Sequence, residues 1–126
     1  MAKLTSEQLK ILADNMLRMA NALGDYRYEN INQLSKAEND TIKALHEQTL
    51  NSVTELYTKS TVLSIDDVQE NLERITIITA KTQKLYKSFT TVQNVIDRAT
   101  SVLKIAAAVI SLDTEKITES IKNLLT

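Results

Sequence analysis

Residues 68–110, VQENLERITIITAKTQKLYKSFTTVQNVIDRATSVLKIAAAVI, carry the reading on which the fold depends. Val68, Ile75, Thr82, Phe89, Ile96, Leu103 and Ile110 recur every seven residues without a change of phase. Ile78, Leu85, Val92, Ala99 and Ala106 occupy the position three residues later. Apolar residues alternating at spacings of three and four fall on one face of an α-helix, as in the a and d positions of a coiled coil. Segments such as Ile75-Thr76-Ile77-Ile78-Thr79 favour strands when read alone. The heptad running through them predicts helix, and the unbroken phase predicts one helix over 65–111, about 70 Å long at 1.5 Å per residue.

The remainder of the chain agrees with this class. There is 1 Gly and no Pro in 126 residues, where average usage gives roughly nine and six. Those two residues supply most tight turns. Their scarcity argues against β-sandwiches, nucleotide-binding glycine loops and any fold rich in short connections. No Cys is present, which excludes disulfides, thiolate metal sites and thiol nucleophiles.

Helix starts are marked by repeated cap chemistry. Thr5, Ser64 and Asp113 each offer a side-chain oxygen at a candidate N-cap, where it accepts from unpaired backbone N–H groups. Each is bracketed by an apolar pair, Leu4 with Leu9, Leu63 with Val68 and Leu112 with Ile117, in the spacing of a hydrophobic staple. Gly24 follows an apolar stripe of Leu9, Leu12, Ala13, Met16, Met19, Ala20 and Leu23, and is read as the left-handed stop of the first helix. Asn39 or Asp40 offers a further cap, so the second helix carries a candidate kink at 38–41. The prediction is an all-α, elongated antiparallel bundle of four helices at about 5–23, 25–61, 65–111 and 114–125. It is built on a long αα-hairpin between the second and third, with no strand, and residues 1–126 form one domain.

Charge is balanced overall but divided along the chain. Residues 29–73 hold nine acidic and three basic side chains, whereas residues 74–104 hold six basic and one acidic. The ordinary interpretation is an acidic helix lying antiparallel to a basic one. A two-helix arm would leave apolar surface open, so a homo-oligomer is expected, with Ile75, Ile78, Leu85 and Phe89 of the heptad face inserting into a partner or a second copy.

Other candidates are weaker. Arg74, Lys81, Lys84, Lys87 and Arg98 form a basic stripe that nucleic acid could contact through phosphates, though it reads first as a solvated face. Residues 99–112 are the most apolar segment; Val102, Leu103, Ile105, Val109 and Ile110 could enter lipid after a rearrangement, though burial among neighbouring helices is the simpler reading. His46 is the only histidine, and Glu70 and Glu73 with Asp66 resemble an ordinary acidic first turn more than a cation site. No Ser or Thr has a base placed beside it by spacing. The sequence therefore predicts a non-enzymatic protein-interaction or scaffolding module without a cofactor or metal. With no apolar leader and no run long enough to span a bilayer, a cytoplasmic location is expected.

Overall fold

The computed structural model describes residues 2–3, 6–58, 64–65, 68–88, 91–110 and 114–125. Five helices occur among them: α1 (Ser6–Glu29), α2 (Lys36–Thr58), α3 (Val68–Ser88), α4 (Val92–Ile110) and α5 (Thr114–Leu125). Two dipeptides, β1 (Ala2–Lys3) and β2 (Ser64–Ile65), pair antiparallel with Ala2 opposite Ile65. The chain is all-α apart from this short ladder. Ser64 lies in β2 and is not the cap of α3, which begins at Val68. The expected caps Thr5 and Asp113 lie outside the described residues.

The first departure concerns Gly24. It does not stop α1, which runs five residues further to Glu29 and adds Tyr26 to the buried stripe. Gly24 matters instead for what lies over it. A Cβ there would sit 2.9 Å from Nε2 of His46, so the missing side chain is the notch into which α2 sets its imidazole. Gly costs roughly 1 kcal/mol relative to Ala inside a helix, and the close approach of α1 and α2 offsets that cost.

The chain turns at 30–35 rather than at Gly24. Asn30 donates its backbone N–H and its side-chain amide to the Tyr26 carbonyl, and Gln33 donates to the Asn30 carbonyl. α2 then opens on a capping box. The Glu38 N–H donates to Ser35 Oγ at 3.1 Å, and the Ser35 N–H donates to Glu38 Oε1 at 2.8 Å. Two otherwise unpaired donors are satisfied reciprocally. Asn39 has a different role: its Oδ1 accepts from Arg27 Nε at 2.7 Å, joining the end of α1 to the start of α2. The predicted continuous helix over 25–61 is thus replaced by the end of α1, a turn and α2.

The second departure is larger. The heptad segment is two helices, with Ser88 ending one and Val92 beginning the next. The sequence between them, Phe89-Thr90-Thr91, contains two β-branched residues of low helix propensity. The register also moves. In α3 the buried positions include Ile75, Ile78 and Thr82, as the heptad requires. In α4 the buried series is Val95, Val102 and Val109 with Ala99 and Ala106, whereas Ile96, Leu103 and Ile110 are half-buried. The apparent constant phase therefore conceals a change of face between two separate helices: Ala99 and Ala106 stay inside, while the places of Ile96, Leu103 and Ile110 are taken by the valines one residue earlier.

Packing follows a ring. α1 lies between α2 and α3; α4 packs on α2 and α5, and α5 closes onto α3. Contacts at matched ends give the directions. Asp14 meets Tyr57, while Arg27 meets Asn39, so α1 and α2 are antiparallel. Tyr26 meets Tyr86, with ring centroids 6.4 Å apart, and β1 meets β2 at the other end, so α1 and α3 are parallel. α2 and α3 accordingly run in opposite directions on opposite flanks of α1. They do not form the expected αα-hairpin: the acidic α2 packs on α4, at the end of the basic segment, and not along α3, which carries most of its lysines. A first core joins Leu12, Met16, Ile78, Ile105, Ile117 and Ile121 among others, and a second joins Leu23, Ile42, Tyr86 and Val95. The accessible surface of 7272 Å² is close to the roughly 6,700 Å² of a folded monomer of this mass. The predicted bare two-helix arm is replaced by helices folded back into the bundle.

The Gly24–His46 notch is open to a double-mutant cycle. Gly24→Ala in a His46→Ala background is expected to stabilise the protein by about 0.5–1 kcal/mol in urea denaturation. In the presence of His46 the same change is expected to gain nothing or to destabilise. Equal gains in both backgrounds would show that the imidazole does not require the glycine.

Candidate interaction surface

The expected interaction residues divide between inside and outside. Ile75 and Ile78 of α3 are 2% and 0% exposed, built into the chain's own first core. Leu85 is half-buried, and Phe89 lies outside the described residues. The heptad face of α3 therefore packs against α1 and α5 within one chain. The opposite face of α3 is open. Its centre is Ile77, 57% exposed, with Arg74 three residues before, Lys81 four after and Lys84 seven after, all on the same side of the helix. Lys81, Lys84 and Lys87 are exposed. Arg74 is half-buried and forms an ion pair with Glu70 one turn earlier. Glu73 is exposed on the same helix, so the surface is basic toward its C-terminal end and mixed toward its start.

Ile77 escaped the sequence reading because it belongs to neither heptad position. The available signal was its misfit: a branched aliphatic residue on the polar side of an amphipathic helix. Other large apolar side chains also reach solvent. Tyr28 at the end of α1 is 80% exposed, and Ile31 lies in the turn that follows. Tyr57 is half-covered by comparison and donates its hydroxyl to Asp14, which together with burial raises its pKa above the usual phenol value.

Arg98, the last member of the expected basic stripe, has left it. Its guanidinium is half-buried where α3, α4 and α5 converge. Nε donates to Thr82 Oγ1 at 2.9 Å, one terminal nitrogen to the Leu124 carbonyl at 3.3 Å, and the other to the Ile78 carbonyl at 3.4 Å. Thr82 is fully buried, and Leu124 lies in the last turn of α5, where backbone carbonyls lack helical partners. A planar group with several donors suits such divergent acceptors. Burial lowers the Arg98 pKa from its ordinary value, with the neighbouring Tyr86 phenol acting the other way. Burial raises the Tyr86 pKa well above the usual phenol range, against the opposing influence of Arg98. Arg98 is a structural clamp, so the basic surface reduces to Arg74, Lys81, Lys84 and Lys87.

The apolar residues considered for lipid are inside the bundle. Val102, Ile105 and Val109 are buried, and Leu103 and Ile110 are half-buried. Among the described residues no helix is long and apolar enough to cross a membrane. His46 is placed against Gly24, and Glu70 is engaged with Arg74; Asp66 lies outside the described residues. Among the described residues no group of three or more His, Asp and Glu side chains is arranged to hold a metal.

Two grooves are open on the surface of the described residues. One, of about 450 Å³, runs between the C-terminal halves of α1 and α3 and is edged by Arg18, Asp25, Glu29 and Lys87 over the rings of Tyr26 and Tyr86. The other, of about 520 Å³, lies between α4 and α5, with Ala107 and Ala108 at its base and Lys104, Lys116 and Glu119 at its edge. Both carry charges of both signs. One buried amide has an incomplete set of partners: Asn15, 3% exposed, donates Nδ2 to the Ile11 carbonyl, and its Oδ1 has no hydrogen-bond partner. Comparison of the chain with protein families, characterised proteins and solved structures gives no match.

Arg98→Met tests the clamp. It retains much of the apolar stem but removes every donor, and is expected to cost about 2 kcal/mol in urea denaturation, because hydrogen bonds to a charged group are involved and a buried hydroxyl loses its donor. Arg98→Lys should recover only part of this, since a compact ammonium cannot span the divergent acceptors on α3 and α5 as a planar guanidinium does. Full stability of either variant would contradict the clamp.

Proposed function

We propose that this protein is a non-enzymatic helical interaction module that presents the outer face of α3 to a protein partner. The observation that supports this reading is Ile77, more than half exposed at the centre of a face bracketed by Arg74, Lys81 and Lys84. An isolated exposed apolar residue is ordinary. An aliphatic centre with a charged surround on a straight helix is the arrangement of a helix-mediated contact, in which the apolar residue supplies affinity and the charges set orientation. Burying the exposed part of Ile77 against a partner contributes about 1–2 kcal/mol. The heptad residues support the module differently: with Ile75 and Ile78 locked in the core, α3 is held rigid, and a rigid helix loses little freedom on binding.

Nucleic acid fits this face less well. Glu70 and Glu73 stand on the same helix as the lysines, and without Arg98 the stripe loses its extension into α4. Lipid insertion of residues 99–112 would require opening the first core, because Ile105, Ala106 and Val109 help to form it.

The reading is tested by placing a photoreactive benzophenone side chain at position 77 and irradiating cells that make the protein. Discrete protein adducts are expected from position 77, and none from the exposed Asn94 on α4 used as a control. Absence of protein adducts from position 77 would contradict the proposal.

A further inference from the structure

The acidic and basic helices, separated by α1, have complementary outer faces that cannot meet within one chain. On α3, Ile77 has Arg74 three residues before it and Lys81 four residues after. On α2, the exposed Ala44 has Asp40 four residues before it and Glu47 three residues after, both exposed. Laid antiparallel with Ile77 over Ala44, the two helices bring Arg74 opposite Glu47 and Lys81 opposite Asp40. Each matched pair is one turn from the centre, and the small side chain of Ala44 leaves room for the larger one of Ile77. Arg74 also pairs with Glu70 one turn earlier, whereas among the described residues none of Asp40, Glu47 and Lys81 has an ion-pair partner. The bundle also supplies the required sense, since α2 and α3 run in opposite directions on opposite flanks of α1. Copies standing side by side in one orientation therefore bring α3 of one against α2 of the next, antiparallel.

We propose that the partner of the α3 face is the α2 face of a second copy of this chain. This rests on the reading of α3 as an interaction surface and specifies its occupant. The contact is heterologous: each copy uses one face to receive and a different face to offer, so association continues beyond two copies and builds a row or a ring. With only one aliphatic residue at its centre, the contact is electrostatically guided and weakens as salt screens it.

The geometry allows a test by complementation, with sedimentation equilibrium over a concentration series in low salt. The wild-type mean mass is expected to rise with concentration above the 14.1 kDa of one chain and to fall back in high salt. Ile77→Asp disables the α3 face by setting a carboxylate between Asp40 and Glu47, and Asp40→Lys with Glu47→Lys disables the α2 face; the two altered faces repel each other through Lys81 and Arg74. Both variants are at exposed positions, and circular dichroism matching the wild type verifies their fold. Each alone should stay monomeric. Their equimolar mixture should form a species of twice the protomer mass and nothing larger, because each contributes the face that the other lacks. A wild type that is monomeric throughout, or a mixture that stays monomeric, would overturn the proposal. If position 77 nevertheless gives adducts with a different protein in cells, the interaction reading stands and only the second copy is rejected as its partner.

Discussion

The fold depends on enclosing the C-terminal half of α4. From Ile105 to Ile110 the sequence is apolar on every side, and a helix of that kind must have neighbours all round it. A straight continuation of α3 would provide too few. By ending α3 at Ser88 and starting α4 at Val92, the chain returns this segment to the bundle. There α2 lies on one side, α5 on another and α1 beneath, with Ile105, Ala106, Ala108 and Val109 all buried. α5 is needed for the same reason: Ile117, Ile121 and Leu124 cover the side that α3 does not reach. Ala106 and Ala108 are buried and permit close packing, since small side chains let helix axes approach; Ala107 between them is exposed.

Arg98 sets the boundary of that enclosure. Below it α4 is held by apolar contact. At its own level three acceptors on α3 and α5 are satisfied by a single side chain. A half-buried guanidinium is costly unless its donors are used, and here they fix how far α5 can slide along α3. Apolar packing has little preference for one axial position over another, whereas directional hydrogen bonds do. The capping box at Ser35 and the Arg27–Asn39 hydrogen bond perform a similar task at the α1–α2 turn.

Much of this was legible in local patterns. The class followed from helical periodicity and the scarcity of breakers; the apolar stripe from Leu9 to Leu23 is the buried stripe of α1, and α5 occupies 114–125 as read. What local pattern could not supply was whether a signal is used. Gly24 looks like a helix stop because most such glycines are stops; here its role is set by His46, more than twenty residues away. Ser35 and Glu38 form a capping box in plain view, but Asn39 and Asp40 nearby are equally good caps by type. The heptad was misleading for a physical reason. Positions seven apart remain in phase whether or not the helix between them is continuous, so ending one helix at Ser88 and starting another at Val92 leaves the count intact. Ile77, the centre of the proposed surface, belongs to neither the a nor the d series, and those series mark residues that the core uses. The membrane and nucleic-acid alternatives drew on Val102, Ile105, Val109 and Arg98, all of which the bundle covers wholly or in part.

The relation between packing and function follows. Because the heptad face of α3 is consumed within the chain, any contact made by this helix belongs to its other side, and the division of acidic and basic residues becomes a property of two separate outer faces. Everything in that account requires the segment 65–111 to fold back on itself. Double electron–electron resonance between nitroxide labels at Glu73 and Lys104 measures this directly. The folded-back arrangement predicts a separation of about two helix diameters, roughly 20–25 Å. A peak near 46 Å, the length of 31 residues of unbroken helix at about 1.5 Å each, would contradict it.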